Sequence, residues 1–251
     1  MRIGSYKSRR PPPHKNLKTP GDLPLSILRS GIWHDRGMPK RTTGNPDDPA
    51  QKKIPSTPTL QGLAKISKSC KACDLWKRGT QTVFGEGEPS AKAMFVGEVP
   101  GDQEDLAGKP FVGPAGNLLN KALDEAGTDR SKIYVTNAVK HFNWEPRGKR
   151  RIHKKPNAVE IVACRPWLDA EIDRLKPRVI VCLGATAAQA LLGKEFRVTQ
   201  HRGEFIDSPL APYVTATVHP SSILRAPDDA TRHEEMKRFV ADLRKVAKVI
   251  S

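Results

Sequence analysis

Four short runs of β-prone, mostly apolar residues constrain the fold of this chain more than any other feature. They lie at 93–97, 133–136, 179–183 and 213–218. Runs of this kind, with few polar positions, are typical of strands that are buried on both faces of a sheet. Helical patterns alternate with them, which predicts a parallel sheet between two layers of helices. We therefore expect an α/β fold, a three-layer α/β/α sandwich with a central, mainly parallel four-stranded sheet.

Apolar spacing near 3.6 residues predicts the helices that connect and close this sheet. The predicted helices cover 60–66, 115–126, 157–175, 185–192 and 232–249. Gly127 follows the second of them and suits a helix stop. Two further segments are expected to be irregular, a basic loop at 140–156 and a hairpin at 195–206.

Residues 1–59 differ in composition from the rest of the chain. They hold 10 of the 22 prolines, and 12 Lys and Arg against 4 Asp and Glu. Such a segment cannot bury enough apolar surface to order itself, so we predict a flexible basic arm before a globular domain at 60–251. Only the stretch from Leu23 to Trp33 is expected to dock, and Met38 is an alternative start. The arm either attracts phosphate without specificity or only aids solubility.

The overall charge predicts a polyanionic partner. Lys and Arg exceed Asp and Glu by 43 − 27 = 16, which favours nucleic acid. No apolar run is long enough to span a bilayer, and the amino terminus lacks a secretory signal core, so we expect no membrane association and a cytoplasmic, DNA-associated protein. In that compartment the four cysteines are reduced thiols or metal ligands, not disulfides.

Polar residues that suit catalysis follow three of the predicted strands. Glu98 and Asp102 follow the first, Asn137 the second, and His219 the fourth. In open α/β sheets, ligands bind at the carboxyl ends of the strands. The sequence therefore predicts an active-site edge that brings these side chains together.

The octapeptide at 148–155 places His153 among five Lys and Arg residues. Neighbouring cations disfavour the imidazolium form, so we expect a neutral ring with a free lone pair, able to act as nucleophile or base. The alternative interpretation of the octapeptide alone is a solvated basic loop.

The joint pattern resembles the uracil-DNA glycosylase superfamily, most closely its iron-sulfur family 4. The motifs that carry the resemblance are Glu98-Val99-Pro100-Gly101-Asp102, Phe111 with Gly113, Asn137 and His219-Pro220-Ser221. The inserted Lys149-Arg150-Arg151-Ile152-His153 is similar to the signature of the UdgX subgroup, in which the loop histidine becomes bonded to the deoxyribose after uracil leaves. The resemblance covers residue 60 to the carboxyl terminus.

This resemblance implies a role for each matched residue. Asn137 would hydrogen-bond the uracil edge and Phe111 would stack on its ring, with Gly97 and Val99 beside them. His219 would donate to the uracil oxygen, while Glu98 and Asp102 supply negative charge near the sugar. The subgroup typically has glutamine where this chain has Val99, so we expect any hydrogen bond of that glutamine to be lost while base cleavage persists.

The resemblance assigns the capture step to His153 and phosphate contacts to its neighbours. His153 would trap the oxocarbenium-like sugar before water does, with single-stranded DNA preferred and the protein a monomer. Arg151 would hold phosphate or lock the loop. Further DNA contacts are expected from Lys149, Arg150, Lys154, Lys155 and Ser221.

The cysteines match a four-thiolate ligand set. Cys70 and Cys73 form a C-x2-C pair, and Cys164 and Cys182 complete the four. Spacing alone leaves a structural zinc and a [4Fe–4S] cluster open. The family 4 resemblance implies the [4Fe–4S] cluster. Two rival functions remain at this point, a turnover glycosylase that releases a free abasic site and a non-catalytic binder of uracil-containing or abasic DNA.

Overall fold

The computed structural model describes residues 49–56 and 58–251. Most of the predicted basic arm, including its expected docking stretch and Met38, lies outside the described residues. Ala50 is buried within a core cluster that also contains residues of the globular domain. Within the described residues, no helix is both long and apolar enough to cross a membrane.

Seven strands and eight α-helices occur in the described residues. The strands are β1 Ala93–Gly97, β2 Ile133–Asn137, β3 Trp144–Arg147, β4 Arg150–His153, β5 Val179–Leu183, β6 Phe205–Ile206 and β7 Tyr213–Thr217. The helices are α1 Leu60–Ser67, α2 Asp102–Ala107, α3 Pro114–Glu125, α4 Ala158–Leu175, α5 Ala185–Leu192, α6 Val198–His201, α7 Pro220–Leu224 and α8 Asp229–Ile250.

The central sheet has the order β2-β1-β5-β7-β6. The first four strands are parallel, and β6 pairs antiparallel with β7. The α/β class and the mainly parallel sheet are confirmed, but the sheet has five strands and not four. The additional strand β6 is two residues long, and it lies within the segment predicted to be an irregular hairpin.

The two faces of the sheet carry separate apolar cores because side chains alternate along each strand. Met94, Val96 and Ile180 face a cluster that also holds Leu168 and Ile172 of α4. Phe95 belongs to the opposite cluster, which includes residues of α3 and α8. These two cores produce the predicted three layers.

A third apolar cluster lies beside the sheet, under α1 and α4. It contains Cys70, Val99, Val139, Cys164 and Trp167. Helix α4 begins with a capping box in which Asn157 and Glu160 exchange side-chain-to-backbone hydrogen bonds. This helix therefore runs from the basic segment, past the third cluster, to the central core.

The basic segment predicted as a loop is a β-hairpin. Strands β3 and β4 pair antiparallel, with Trp144 opposite His153 and Arg147 opposite Arg150. Gly148 has φ +60, the left-handed conformation that a tight two-residue turn requires. The hairpin places His153 at its base and Lys149 at its exposed tip.

Candidate functional site

The carboxyl ends of β1 and β2 bring the predicted base-contacting residues together. Gly97 is the register partner of Asn137. A side chain at Gly97 would place its Cβ 2.2 Å from Asn137 Oδ1 and 2.8 Å from Phe111 Cζ. Only glycine allows the amide and the ring to approach each other here. The three residues therefore form one wall of the site.

Asn137 carries an unsatisfied donor. Its side chain is 2% exposed, and its Nδ2 has no hydrogen-bond partner among the described residues. A buried polar atom without a partner is costly, and such atoms mark places where a ligand completes the hydrogen bonding. The Asn137 amide is therefore suited to bind the edge of a base.

His219 faces Phe111 from the end of β7. The two ring centroids are 6.2 Å apart. The backbone N–H of Ser221 donates to His219 Nδ1 at 3.2 Å, and Ser221 Oγ lies 2.7 Å from the same nitrogen. An Nδ1 that accepts a hydrogen bond is unprotonated, so the neutral ring carries its proton on Nε2. Ser221, predicted to contact DNA, orients His219 through these two contacts.

The neutral form of His219 is strongly favoured. Burial lowers its pKa to about 4, and the positive charge of Arg225 acts in the same direction, as does His153 when it is protonated. At neutral pH, Nε2 is therefore a hydrogen-bond donor on a neutral ring. Arg225, at the end of α7, was not identified from the sequence because no motif marks it.

Glu98 lies between the sheet edge and the hairpin. The hydroxyl of Thr186 donates to Glu98 Oε2, while Oε1 is 3.9 Å from His153 Nε2. Burial lowers the pKa of His153, Glu98 opposes the shift, and Arg225 supports it. The predicted direction is confirmed. Its cause is different, since burial and Arg225 act here and not the cations of the octapeptide.

Arg151 anchors the hairpin. Its Nε lies 2.6 Å from Asp102 Oδ1, and its Nη1 lies 2.7 Å from Asp105 Oδ2. The guanidinium also lies over the rings of Phe142 and Trp144. Of the two predicted roles of Arg151, locking the loop matches this arrangement. Asp102, predicted to act near the sugar, lies at the hairpin base with Arg151.

The remaining predicted DNA contacts lie on the exposed side of the hairpin. Lys149, Arg150 and Lys155 are exposed. Lys154 is exposed too, but its Nζ lies 3.4 Å from Glu145 Oε2 on the opposite strand. Val99, predicted to lie beside uracil, packs its side chain into the third apolar cluster. Its side chain therefore contributes packing near the cysteines.

A buried ion pair beneath Asn137 was not identified from the sequence. Lys140 and Glu171 side chains are 1% and 0% exposed, with 2.5 Å between Nζ and Oε2. Lys140 Nζ also donates to the backbone oxygen of Asn137 at 2.8 Å. The two residues are 31 positions apart, so no local pattern reveals them. The pair fixes the end of β2 on helix α4.

Three of the four cysteines share one environment. Cys70, Cys73 and Cys164 lie in or against the third cluster. Cys70 Sγ accepts the indole N–H of Trp167, and Cys164 Sγ accepts the amide N–H of Lys140, both at 3.2 Å. Such N–H donors suit thiolates that bind a metal cluster.

Cys182 does not join the other cysteines. It lies on β5 in the central core, between Val96 and Ala216 of the neighbouring strands. Burial raises the pKa of Cys182 to about 12, and the charge opposing that shift is Arg165. For Cys164, burial also raises the pKa to about 12, Lys140 opposes the shift, and Cys73 and Cys70 add to it. Over the described residues, no group of three Cys, His, Asp or Glu has a metal-binding arrangement. Of the four predicted ligands, Cys164 is close enough to Cys70 and Cys73 for their charges to interact, and Cys182 is not part of that group.

Comparison with known proteins places this geometry in a family. The family model described as "Uracil DNA glycosylase superfamily" matches residues 84–244. A type-4 uracil-DNA glycosylase of Thermotoga maritima is 40% identical over 184 residues, 73% of this chain and 90% of that protein. One from Sulfurisphaera tokodaii is 39% identical over 183 residues, 67% of this chain and 79% of that protein.

Proposed function

The chain belongs to the uracil-DNA glycosylase superfamily, and from that premise we propose that it excises uracil from DNA and bonds to the abasic sugar through His153. The observation that carries the proposal is the position of His153. Its Nε2 lies 3.9 Å from Glu98, at the strand edge that also holds Asn137 and His219. The substrate we propose is uracil-containing DNA, with single strands preferred because the base needs no extrusion from a duplex.

Base recognition would use the wall formed by Gly97, Phe111 and Asn137. The unsatisfied Asn137 Nδ2 would donate to the uracil edge, and the Phe111 ring would stack on the base. As the C1′–N1 bond breaks, its electron pair leaves with uracil. The Nε2–H of His219 would stabilise that negative charge because it is already oriented and neutral.

Capture would follow at the sugar. The lone pair of neutral His153 would form a bond to C1′, and the resulting imidazolium would release its remaining N–H proton to solvent. Glu98 would stabilise the positive charge that develops on the sugar. The lock of Arg151 on Asp102 and Asp105 would keep the histidine positioned, and a positioned group competes well with water.

A denaturing gel with uracil-containing single-stranded DNA tests the proposal. We expect a heat-stable band of lower mobility for protein bonded to DNA. A strand break after alkali without that band would indicate the turnover glycosylase. The absence of both products would indicate a non-catalytic binder and would end the proposal. Duplex DNA of the same sequence tests the preference for single strands.

The rate of adduct formation should depend on pH through His153. Because burial lowers the pKa of His153 below that of an ordinary histidine, the neutral nucleophilic form predominates at neutral pH and is lost only as pH falls through the lowered pKa. We expect a constant rate from pH 8 to neutral pH, and a decline that begins at a lower pH than the titration of an ordinary histidine would give. Single-turnover rates measured across this range check it. A decline that is already present near pH 7.5 would contradict the assignment.

We also propose that Cys70, Cys73 and Cys164 provide three of the four ligands of a [4Fe–4S] cluster, which would stabilise the apolar residues around it. The N–H bonds to Cys70 and Cys164 support this. Such a cluster would provide structural support next to Val99 and the end of β2, and no step of the proposed reaction passes through it.

Variants of two buried cysteines test which of them binds the iron-sulfur cluster. Cys164→Ala is expected to lose iron and the broad absorbance at about 400 nm that such clusters give. Cys182→Ala is the matched control, since it removes an equally buried thiol from the central core. We expect it to retain iron. Iron content and absorbance of anaerobically purified protein provide the measurement, and iron loss in Cys182→Ala alone would contradict our ligand assignment.

A further inference from the structure

We propose that Thr186 is a positioning residue for the reaction, because its hydroxyl fixes Glu98 so that Oε1 faces His153. This inference rests on the proposed function and adds to it a positioning role for a residue that no sequence motif indicated. Thr186 is the second residue of α5 and is 8% exposed.

The hydrogen bonding of Glu98 supports this role. Thr186 Oγ1 donates to Oε2, which leaves Oε1 as the oxygen directed at His153. The Glu98 side chain is 18% exposed. Without the hydroxyl, a glutamate at this exposure gains rotamer freedom, and the carboxylate no longer has one orientation.

The hydroxyl of Thr186 is not needed by its own helix. Helix α5 begins after Gly184, which provides no side-chain cap. Threonines near a helix start commonly bond to the backbone of that helix, whereas Thr186 reaches across to the end of β1. The bond therefore connects two strand ends.

The same turn also positions His219. The Gly184 N–H donates to the Thr217 oxygen at 2.8 Å. A Cβ on Gly184 would lie 3.1 Å from the His219 Cβ, and Gly184 has φ +88. One short turn thus sets both the carboxylate that faces the sugar and the donor that faces the base.

The test compares Thr186→Val with Thr186→Ser. Valine keeps the shape and removes the hydroxyl, while serine restores it. The matched control is Thr231→Val, because Thr231 Oγ1 also donates to a carboxylate, that of Asp228, at the exposed start of α8. Thr186→Ala is measured beside them, since alanine favours a helix and adds no bulk. Melting temperatures identify any variant that is not folded.

We expect Thr186→Val and Thr186→Ala to slow adduct formation by roughly 10- to 100-fold at saturating DNA, the scale of a misplaced catalytic group. The DNA concentration for half-maximal rate should stay unchanged, which a general structural defect would not produce. The decline with pH should also move to lower pH, because Glu98 no longer opposes the lowered pKa of His153. Thr186→Ser should recover most of the rate.

Two results separate the failure of this inference from that of the proposed function. If wild type forms the adduct and Thr186→Val reacts as fast as Thr231→Val, the positioning role is wrong. If wild type releases no uracil, the proposed function fails first. Where wild type releases uracil without an adduct, the same comparison is made on the rate of release.

Discussion

Replacing His153 with serine is expected to abolish the heat-stable protein–DNA adduct while uracil release continues. Serine has a weakly nucleophilic hydroxyl at neutral pH, and its smaller side chain leaves space for water beside Glu98. Asn137, Phe111 and His219 are unchanged in the variant, so the base would still be bound and its negative charge stabilised. The adduct is measured on a denaturing gel, and released uracil by chromatography.

His233→Ser is the matched control for this substitution. His233 lies on α8, where its Nδ1 is 2.8 Å from the backbone oxygen of Asp229. His233→Ser makes the same substitution outside the candidate site, so we expect this variant to form the adduct in wild-type yield. An adduct that persists in His153→Ser would show that another side chain is the nucleophile. Loss of uracil release would contradict the separation of cleavage from capture.

Replacing His219 with alanine is expected to slow uracil release by about 10²- to 10³-fold, the effect of removing one preorganised donor from a developing anion. The neutral ring is held by Ser221, and burial keeps its pKa at about 4, so no reorganisation is needed as charge develops. Single-turnover release of uracil at saturating DNA measures the effect.

Two further variants define how specific this effect is. His233→Ala should release uracil at the wild-type rate. Ser221→Ala removes the hydroxyl contact but keeps the backbone N–H that donates to Nδ1, so we expect a loss of less than tenfold. If His219→Ala releases uracil at a rate within twofold of the His233→Ala rate, His219 does not take part in the mechanism.

The sequence was sufficient to predict the four parallel strands of the sheet and the edge at which they deliver polar residues. Each apolar run is long enough to cross the sheet, and parallel strands deliver their following residues to one edge. The convergence of Asn137, His219 and Glu98 follows from that rule. The strand Phe205–Ile206 was missed because two residues carry no recognisable periodicity.

Contacts between distant charged residues were beyond sequence reasoning. Arg151 meets Asp105 across 46 positions, and Lys140 meets Glu171 across 31. Composition shows only that opposite charges are available. For the same reason, a count of four cysteines could not show that Cys182 belongs to the central core.

The register of the hairpin has a consequence for how this chemistry can be acquired. Trp144 and His153 are partners, so the chain enters and leaves the hairpin at neighbouring points. Because the two ends of the hairpin lie close together, its insertion adds little to the entropy cost of loop closure and leaves the central sheet undisturbed. Residues 144–153, which include His153, can therefore be regarded as one insertable unit. A lineage could gain or lose the attached nucleophile through one insertion or deletion, without redesigning the scaffold beneath it.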